Sequence, residues 1–273
     1  MTGHTAPATY VVTGANTGVG RATAEGLAAG GAHVILACRS AERTAGVLRA
    51  IADAPIGSAR FVPIDLADLT SVQAASEEIL SIAPRVDALV NNAGVGGARG
   101  RTADGFELAF GVNYLAHYLL TRLLMPVTER VVHVTSGSHR LAKPPQLSRL
   151  QSRTRSLTGI REYATSKLCT MLFHHELARR TRTTSLAADP GDVASEGFRH
   201  VPWPIRPLLT CRMKPPREGA LTSLHCATSP ALQRQSGRSF VDCREDTPSA
   251  LSQDEALAVE LWEQSAAWVG IDP

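Results

Sequence analysis

The sequence predicts an α/β protein, read as one doubly wound domain over residues 1–273. Its sheet is expected to be mostly parallel, of about seven strands, with helices on both faces. Three observations predict this. Short β-branched runs alternate with longer helical patterns through the first 190 residues, the mark of βαβ units. A chain of 273 residues suits a single large domain. The first apolar run ends in a glycine-rich turn, Gly14-Ala15-Asn16-Thr17-Gly18-Val19-Gly20, that opens an alanine-rich helical pattern.

The elements follow in order. Tyr10-Val11-Val12, His33-Val34-Ile35-Leu36 and Phe61-Val62-Pro63-Ile64 read as buried strands, as do Ala88-Leu89-Val90, Val131-Val132-His133-Val134 and Thr184-Ser185-Leu186-Ala187. Helical stretches lie near 18–29, 40–52, 69–82, 106–125 and 161–180. Right-handed crossovers then put helices on both faces. Residues 196–216 differ, with Pro202-Trp203-Pro204, Pro207 and Pro215-Pro216. Proline density breaks regular structure, so this stretch reads as a loop with short helical pieces. It is either a surface connection or a lid, since long loops in compact domains are often functional. Ser239-Phe240-Val241 reads as the last strand, with a terminal helix from about Asp254 to Trp268.

Composition narrows the function classes. A 44% apolar chain buries an ordinary core. A net charge of +3 is too small to argue for nucleic-acid or membrane-surface partners. Arginines cluster at Arg149, Arg153, Arg155 and Arg161 and at Arg179, Arg180 and Arg182. No aromatic residues interleave to stack bases, so these read as solvated surface. Only Lys143, Lys167 and Lys214 are lysines, against 25 arginines, a bias that suggests a GC-rich bacterial genome. The five cysteines are scattered without metal or redox spacing. Reduced thiols in a cytoplasmic protein, with no bound metal, are expected. Met1 to Ala8 lacks a signal-peptide pattern, and no run of eighteen apolar residues occurs, so no membrane anchor is expected.

The glycine turn has a physical purpose. Glycine lets the backbone approach a pyrophosphate, and the helix N-terminus offers amides and partial positive charge. Further on, Tyr163 and Lys167 stand four apart in a helical stretch and share a face. An ammonium beside a phenol favours the phenolate, giving a proton donor and acceptor. Tyr163 and Lys167, the turn from Gly14 to Gly20, and Asn91-Asn92-Ala93-Gly94 together make the chain resemble a short-chain dehydrogenase/reductase, over nearly its whole length. The Gly-x-x-x-Gly-x-Gly spacing is that family's.

The resemblance implies an NAD(P)-binding Rossmann-type domain and assigns roles. Gly14, Asn16, Thr17, Gly18 and Val19 would cradle the cofactor, Asp65 and Leu66 would border its adenine, and Asn92, Ala93 and Gly94 would line its riboses. Asn91 would chiefly hold the sheet. Ser136, directly after the fifth apolar run, matches the catalytic serine that hydrogen-bonds the substrate carbonyl; Ser138 is a competitor two residues on. Tyr163 would transfer the proton, Lys167 would lower its pKa and bind the nicotinamide ribose, and Asn113 would support a relaying water. Pro190, Gly191 and Val193 resemble the segment bordering the nicotinamide, with Ser195 in place of the usual threonine.

The end of the second strand, Ala37-Cys38-Arg39, carries no acid. A carboxylate there would bind ribose hydroxyls and reject a 2′-phosphate, whereas Arg39 can pair with that phosphate. NADP(H) is therefore expected over NAD(H); the other reading of Arg39 is a plain surface arginine. Twenty-six residues separate Ser136 from Tyr163, a long gap that resembles the retinol-dehydrogenase-like branch. Val112-Asn113-Tyr114-Leu115-Ala116-His117 and Ser236-Gly237-Arg238-Ser239-Phe240-Val241-Asp242-Cys243 agree with it. That branch mostly uses NADP(H) on hydrophobic carbonyls or alcohols. Asp189 stands where the branch usually has His, so retinoid chemistry does not carry over.

The expected activity is carbonyl reduction on a hydrophobic substrate, with bacterial natural-product tailoring as one setting. Leu141, Phe198, Trp203, Ile205, Leu208 and Leu209 would rim the pocket under a lid around 195–216, or serve as packing. The rivals are an NAD-dependent alcohol dehydrogenase, a redox-neutral epimerase and a non-catalytic NADP(H)-binding sensor. The family often pairs helices equivalent to 106–125 and 161–180 between subunits, so a homodimer or homotetramer is an expectation. Periodicity cannot separate such a face from internal packing.

Overall fold

In the computed structural model, which describes residues 7–193 and 213–273, eight strands form one sheet. They are β1 (Thr9–Thr13), β2 (His33–Cys38), β3 (Ser58–Pro63), β4 (Ala88–Asn91), β5 (Arg130–Val134), β6 (Thr184–Asp189), β7 (Arg238–Val241) and β8 (Arg244–Asp246). Their order is β3-β2-β1-β4-β5-β6-β7-β8. Strands β4, β5 and β6 are buried along their full length, as a parallel sheet clad on both faces requires. The chain reverses its winding between β1 and β4, and the crevice at the carboxyl ends of those strands is where such folds bind ligands.

The helices divide into two layers. Helices α1 (Gly18–Ala29), α2 (Ala41–Ala52) and α7 (Pro216–Thr228) close one core, in which Leu27, Val47 and Cys226 meet Val12, Leu36 and Val132 of the sheet. Helix α3 (Leu69–Ile82), the composite helix α4 (Leu108–Phe110) and α5 (Ala116–Leu124), α6 (Ile160–Arg180) and α8 (Glu255–Val269) close the other. The apolar face of α5 and α6 is covered from within the chain. Trp262 of α8 stands edge-on to Tyr118 at 5.3 Å, and Trp268 lies 5.3 Å from Phe106 and 5.7 Å from Phe110.

Local chemistry explains the boundaries. Asp68 caps α3 through Thr70 N–H, and Ser40 caps α2 through Arg43 N–H, each satisfying an otherwise orphaned amide. Arg179 and Arg180 end α6, cations at the negative pole of the helix. Both pair with the buried Glu176.

Three sequence expectations are corrected. The sheet has eight strands: β8 runs antiparallel to β7, and its Arg-Glu-Asp sequence has no apolar alternation to betray it. Asp242 and Cys243, both at positive φ, form the tight turn between them, a conformation usually given to Asn-Gly or Asp-Gly. The helix expected over 106–125 is interrupted by a π turn at Gly111–Leu115. Pro215-Pro216, read as loop, is the N-cap and first residue of α7, where proline's missing N–H is harmless. The lid expected around 195–216 lies outside the described residues up to Arg212, and so do Ser195, Phe198, Trp203, Ile205, Leu208 and Leu209.

Candidate active site

The site begins where β1 hands over to α1. Gly14 and Gly18 have φ of +64° and +56°, a region that only glycine enters freely. Gly20 is required for space: a Cβ there would lie 2.2 Å from Asn92 Nδ2 and 2.5 Å from the Gly14 carbonyl oxygen. Thr17, the N-cap of α1, makes no side-chain cap, and the first turn holds no acid. The leading amides of α1 are left for an anion.

The second wall is Asn92-Ala93-Gly94. Thr13 Oγ1 accepts from the backbone N–H of Asn92 at 2.9 Å and of Ala93 at 3.0 Å. Asn92 Nδ2 donates back to the Thr13 carbonyl at 2.8 Å. Asn91 instead turns into the core and donates to Thr121 at 2.8 Å, the structural role expected of it. Thr13 and its partner His117, 2.9 Å away, were not singled out in the sequence; a buried threonine ending a strand looks like any β-branched residue.

Arg39 leaves β2 exposed, its guanidinium 3.9 Å from Asp65 at the end of β3. At that distance and exposure the pair is weak, and Arg39 is free to meet another anion. Asp65 also accepts from Ala67 N–H at 3.0 Å, and Leu66 is buried beside it. On the far side, Gly219 of α7 allows Val19, Pro190 and Val193 to converge. A Cβ on Gly219 would lie 2.4 Å from Val193 and 3.3–3.4 Å from Val19 and Pro190. Gly191, at φ +72°, donates its N–H to Asp189 Oδ1 at 2.8 Å. A deep glycine cradle, an uncapped helix start and an acid-free β2 end with an available arginine together fit a dinucleotide.

Ser136, Tyr163 and Lys167 meet at the end of β5. Lys167 is buried and donates to the Val134 carbonyl at 2.8 Å, with its Nζ 5.7 Å from the Tyr163 ring centre. Burial pulls the Lys167 ammonium down to about 8, partly offset by Asp189. Ser136 and Ser138 stand near enough to the Tyr163 phenol to favour its ionised form. The expected lowering of the Tyr163 pKa is not found. Burial raises it, the Asp189 carboxylate raises it further, and the two serines draw it back. Desolvation outweighs any help from a lysine that is itself desolvated.

Asn113 sits in the π turn, a frequent feature of functional sites. Its side chain is fully engaged: Oδ1 accepts from Val95 N–H at 2.8 Å, and Nδ2 donates to the Val95 carbonyl and to Ser166 Oγ. It therefore clamps the Val95 loop to α6, while its carbonyl oxygen accepts from His117. A Cβ on Gly94 would lie 3.3 Å from Asn113 Oδ1 and 3.8 Å from Lys167 Nζ, so this glycine packs beside both.

Among the described residues, no helix is long and apolar enough to cross a membrane.

Comparison with known proteins follows the same lines. A family profile described as short chain dehydrogenase matches residues 8–146. Dehydrogenase/reductase SDR family member 13 of Bos taurus is 40% identical across 97% of this chain and 74% of its own length. Retinol dehydrogenase 14 of Mus musculus is 40% identical across 96% of this chain and 86% of its own. A crystal structure of an uncharacterised protein from Mycobacterium paratuberculosis has a TM-score of 0.79 at 29% identity, covering 97% and 96% of the two chains. One from Beutenbergia cavernae, titled as an NAD(P)-dependent gluconate 5-dehydrogenase with bound NADP, has a TM-score of 0.69 at 28% identity and covers 87% and 95%. The glycine cradle, the hydroxyl–lysine cluster and these likenesses agree: the chain belongs to the short-chain dehydrogenase/reductase family, as a retinol-dehydrogenase-like oxidoreductase that uses a nicotinamide cofactor.

Proposed function

We propose that the protein is an NADP(H)-dependent reductase that converts the carbonyl of a hydrophobic substrate to an alcohol. The observation that carries this reading is the meeting of Ser136, Tyr163 and Lys167 at the mouth of the glycine cradle. The Arg39 guanidinium at the acid-free end of β2 supports a 2′-phosphate over free ribose hydroxyls. Apolar substrates are supported by relatives named for retinol and by Leu141, 78% exposed just after the serine loop.

A bound nicotinamide would supply hydride at the substrate carbon. The chain's own residues do the rest. Ser136 donates a hydrogen bond to the carbonyl oxygen and steadies its developing negative charge. Tyr163 gives its hydroxyl proton to that oxygen; a phenol pushed above its ordinary value is fully protonated near neutrality, the form that reduction needs. Lys167 and the Gly94 backbone hold the ribose side. Asn113 fixes the loop that faces them.

Tyr163→Phe tests the reading. It should leave cofactor binding, followed by nucleotide fluorescence, within about twofold and abolish carbonyl reduction, general acid catalysis being worth about 10²–10⁴ in rate. Retained turnover in that variant refutes the mechanism.

A further inference from the structure

The loop after β5 holds a second hydroxyl that the reading above leaves without a task. Ser136 and Ser138 are both half-buried and open to the site. Ser138 Oγ donates to Ser136 Oγ at 2.8 Å, and Ser138 N–H reaches the same oxygen at 3.3 Å. A serine hydroxyl has one proton to donate and two lone pairs to accept with. With both acceptor sites of Ser136 taken by Ser138, its single proton is left to point away from the loop. The Tyr163 phenol is the titratable group that both serines act on, each drawing its pKa down.

We propose that Ser138 is a positioning residue: by donating to Ser136 it sets the polarity of that hydroxyl, so that Ser136 meets the substrate oxygen as a donor. This rests on the reductase reading for its catalytic consequence and on geometry alone for the contact. Ser138 is no substitute for Ser136, because its own proton is spent on its neighbour. A donated hydrogen bond also polarises the hydroxyl that receives it, so Ser136 becomes the stronger donor. Without Ser138, the Ser136 hydroxyl is free to turn and offer lone pairs to the carbonyl oxygen, which repel it. The groups facing this cluster are Lys167 and Tyr163 from α6, Asp189 from the end of β6, and His139 from the serine loop with Asp246 of β8 behind it. None of these replaces the Ser138 donor.

The test compares Ser138→Ala, Ser138→Thr and Ser136→Ala, each alone, and the double alanine variant. Ser138→Ala should lower kcat about tenfold, equivalent to ~1.4 kcal/mol, with KM within about twofold. Ser138→Thr, which keeps the hydroxyl, should recover most of the rate. In the Ser136→Ala background the further change should have little effect, because Ser138 works through Ser136. A second readout needs neither cofactor nor substrate. The ultraviolet phenolate titration of Tyr163, isolated by subtracting the Tyr163→Phe protein, should move to higher pH in Ser138→Ala, since Ser136 is then no longer held and polarised as a donor towards the phenolate. An unchanged kcat in Ser138→Ala, a full additional loss in the Ser136→Ala background, or an unmoved titration overturns the proposal. If the wild-type protein reduces no carbonyl, the reductase reading fails by itself, and the titration still decides the Ser138 contact.

Discussion

Lys167→Met should make the cofactor-free protein more stable while destroying its activity. The native fold holds the Lys167 ammonium in a buried place, where its pKa falls from 10.5 to about 8. At about 1.36 kcal/mol per pH unit, the charge destabilises the fold by roughly 3 kcal/mol. Below pH 8 the lysine is protonated in both folded and unfolded chains, and the whole penalty is present. Between about 8 and 10.5 only the unfolded chain keeps the proton, so wild-type stability gains with rising pH across that window. Above it the penalty is gone. Methionine fills a similar volume without charge. It also leaves the Val134 carbonyl without the 2.8 Å bond from Nζ, a loss of about 1 kcal/mol. The net gain near pH 7 is about 2 kcal/mol, or about 4–8 °C in Tm for a domain of this size. Thermal unfolding of both proteins at pH 7 and at pH 10.5 measures it. The variant should lead at pH 7 and lose that lead at pH 10.5. A variant equally destabilised at both values refutes the argument that a buried charge is held there at the fold's expense.

Three further outcomes follow from other parts of the site. Arg39→Ala should raise the Kd for NADPH at least tenfold and leave that for NADH nearly unchanged, because a charge-assisted bond to phosphate is worth about 1.5–3 kcal/mol; titration with each nucleotide checks it. Gly20→Ala should abolish binding of both nucleotides, since its Cβ would fall 2.2 Å from Asn92 Nδ2 and 2.5 Å from the Gly14 carbonyl and must open the cradle. Asp189→Asn should shift the alkaline rise of alcohol oxidation to lower pH. The carboxylate holds the Tyr163 phenol up, and oxidation needs the phenolate; a pH profile of kcat with an alcohol substrate measures the shift.

Much of this site was legible because its parts are local in sequence. The strand–turn–helix from Tyr10 to Ala29, the acid-free end of β2 and the Tyr163–Lys167 pair each sit within one short segment, and the backbone period alone places them. Contacts between distant segments were not legible. Gly219, in a stretch to which the sequence reading assigns no element, reveals its purpose only when Val19, Pro190 and Val193 close on it. The sequence could not show which part of the chain packs on α5 and α6; Trp262 of α8 does so, against Tyr118 and Phe173. The direction of the Tyr163 shift was misread for a related reason. The sequence shows the lysine four residues away, but not the burial that desolvates both groups, nor Asp189 arriving from β6. The strand β8 escaped because three charged residues paired at a sheet edge carry no apolar pattern.

NADP(H)-dependent carbonyl reduction is read out by following oxidation of NADPH and NADH side by side with the purified protein over hydrophobic ketones, aldehydes and quinones. Turnover with NADPH should stand well above that with NADH and be lost in Tyr163→Phe. Turnover with NADH equal to or above NADPH, or undiminished in Tyr163→Phe, contradicts it.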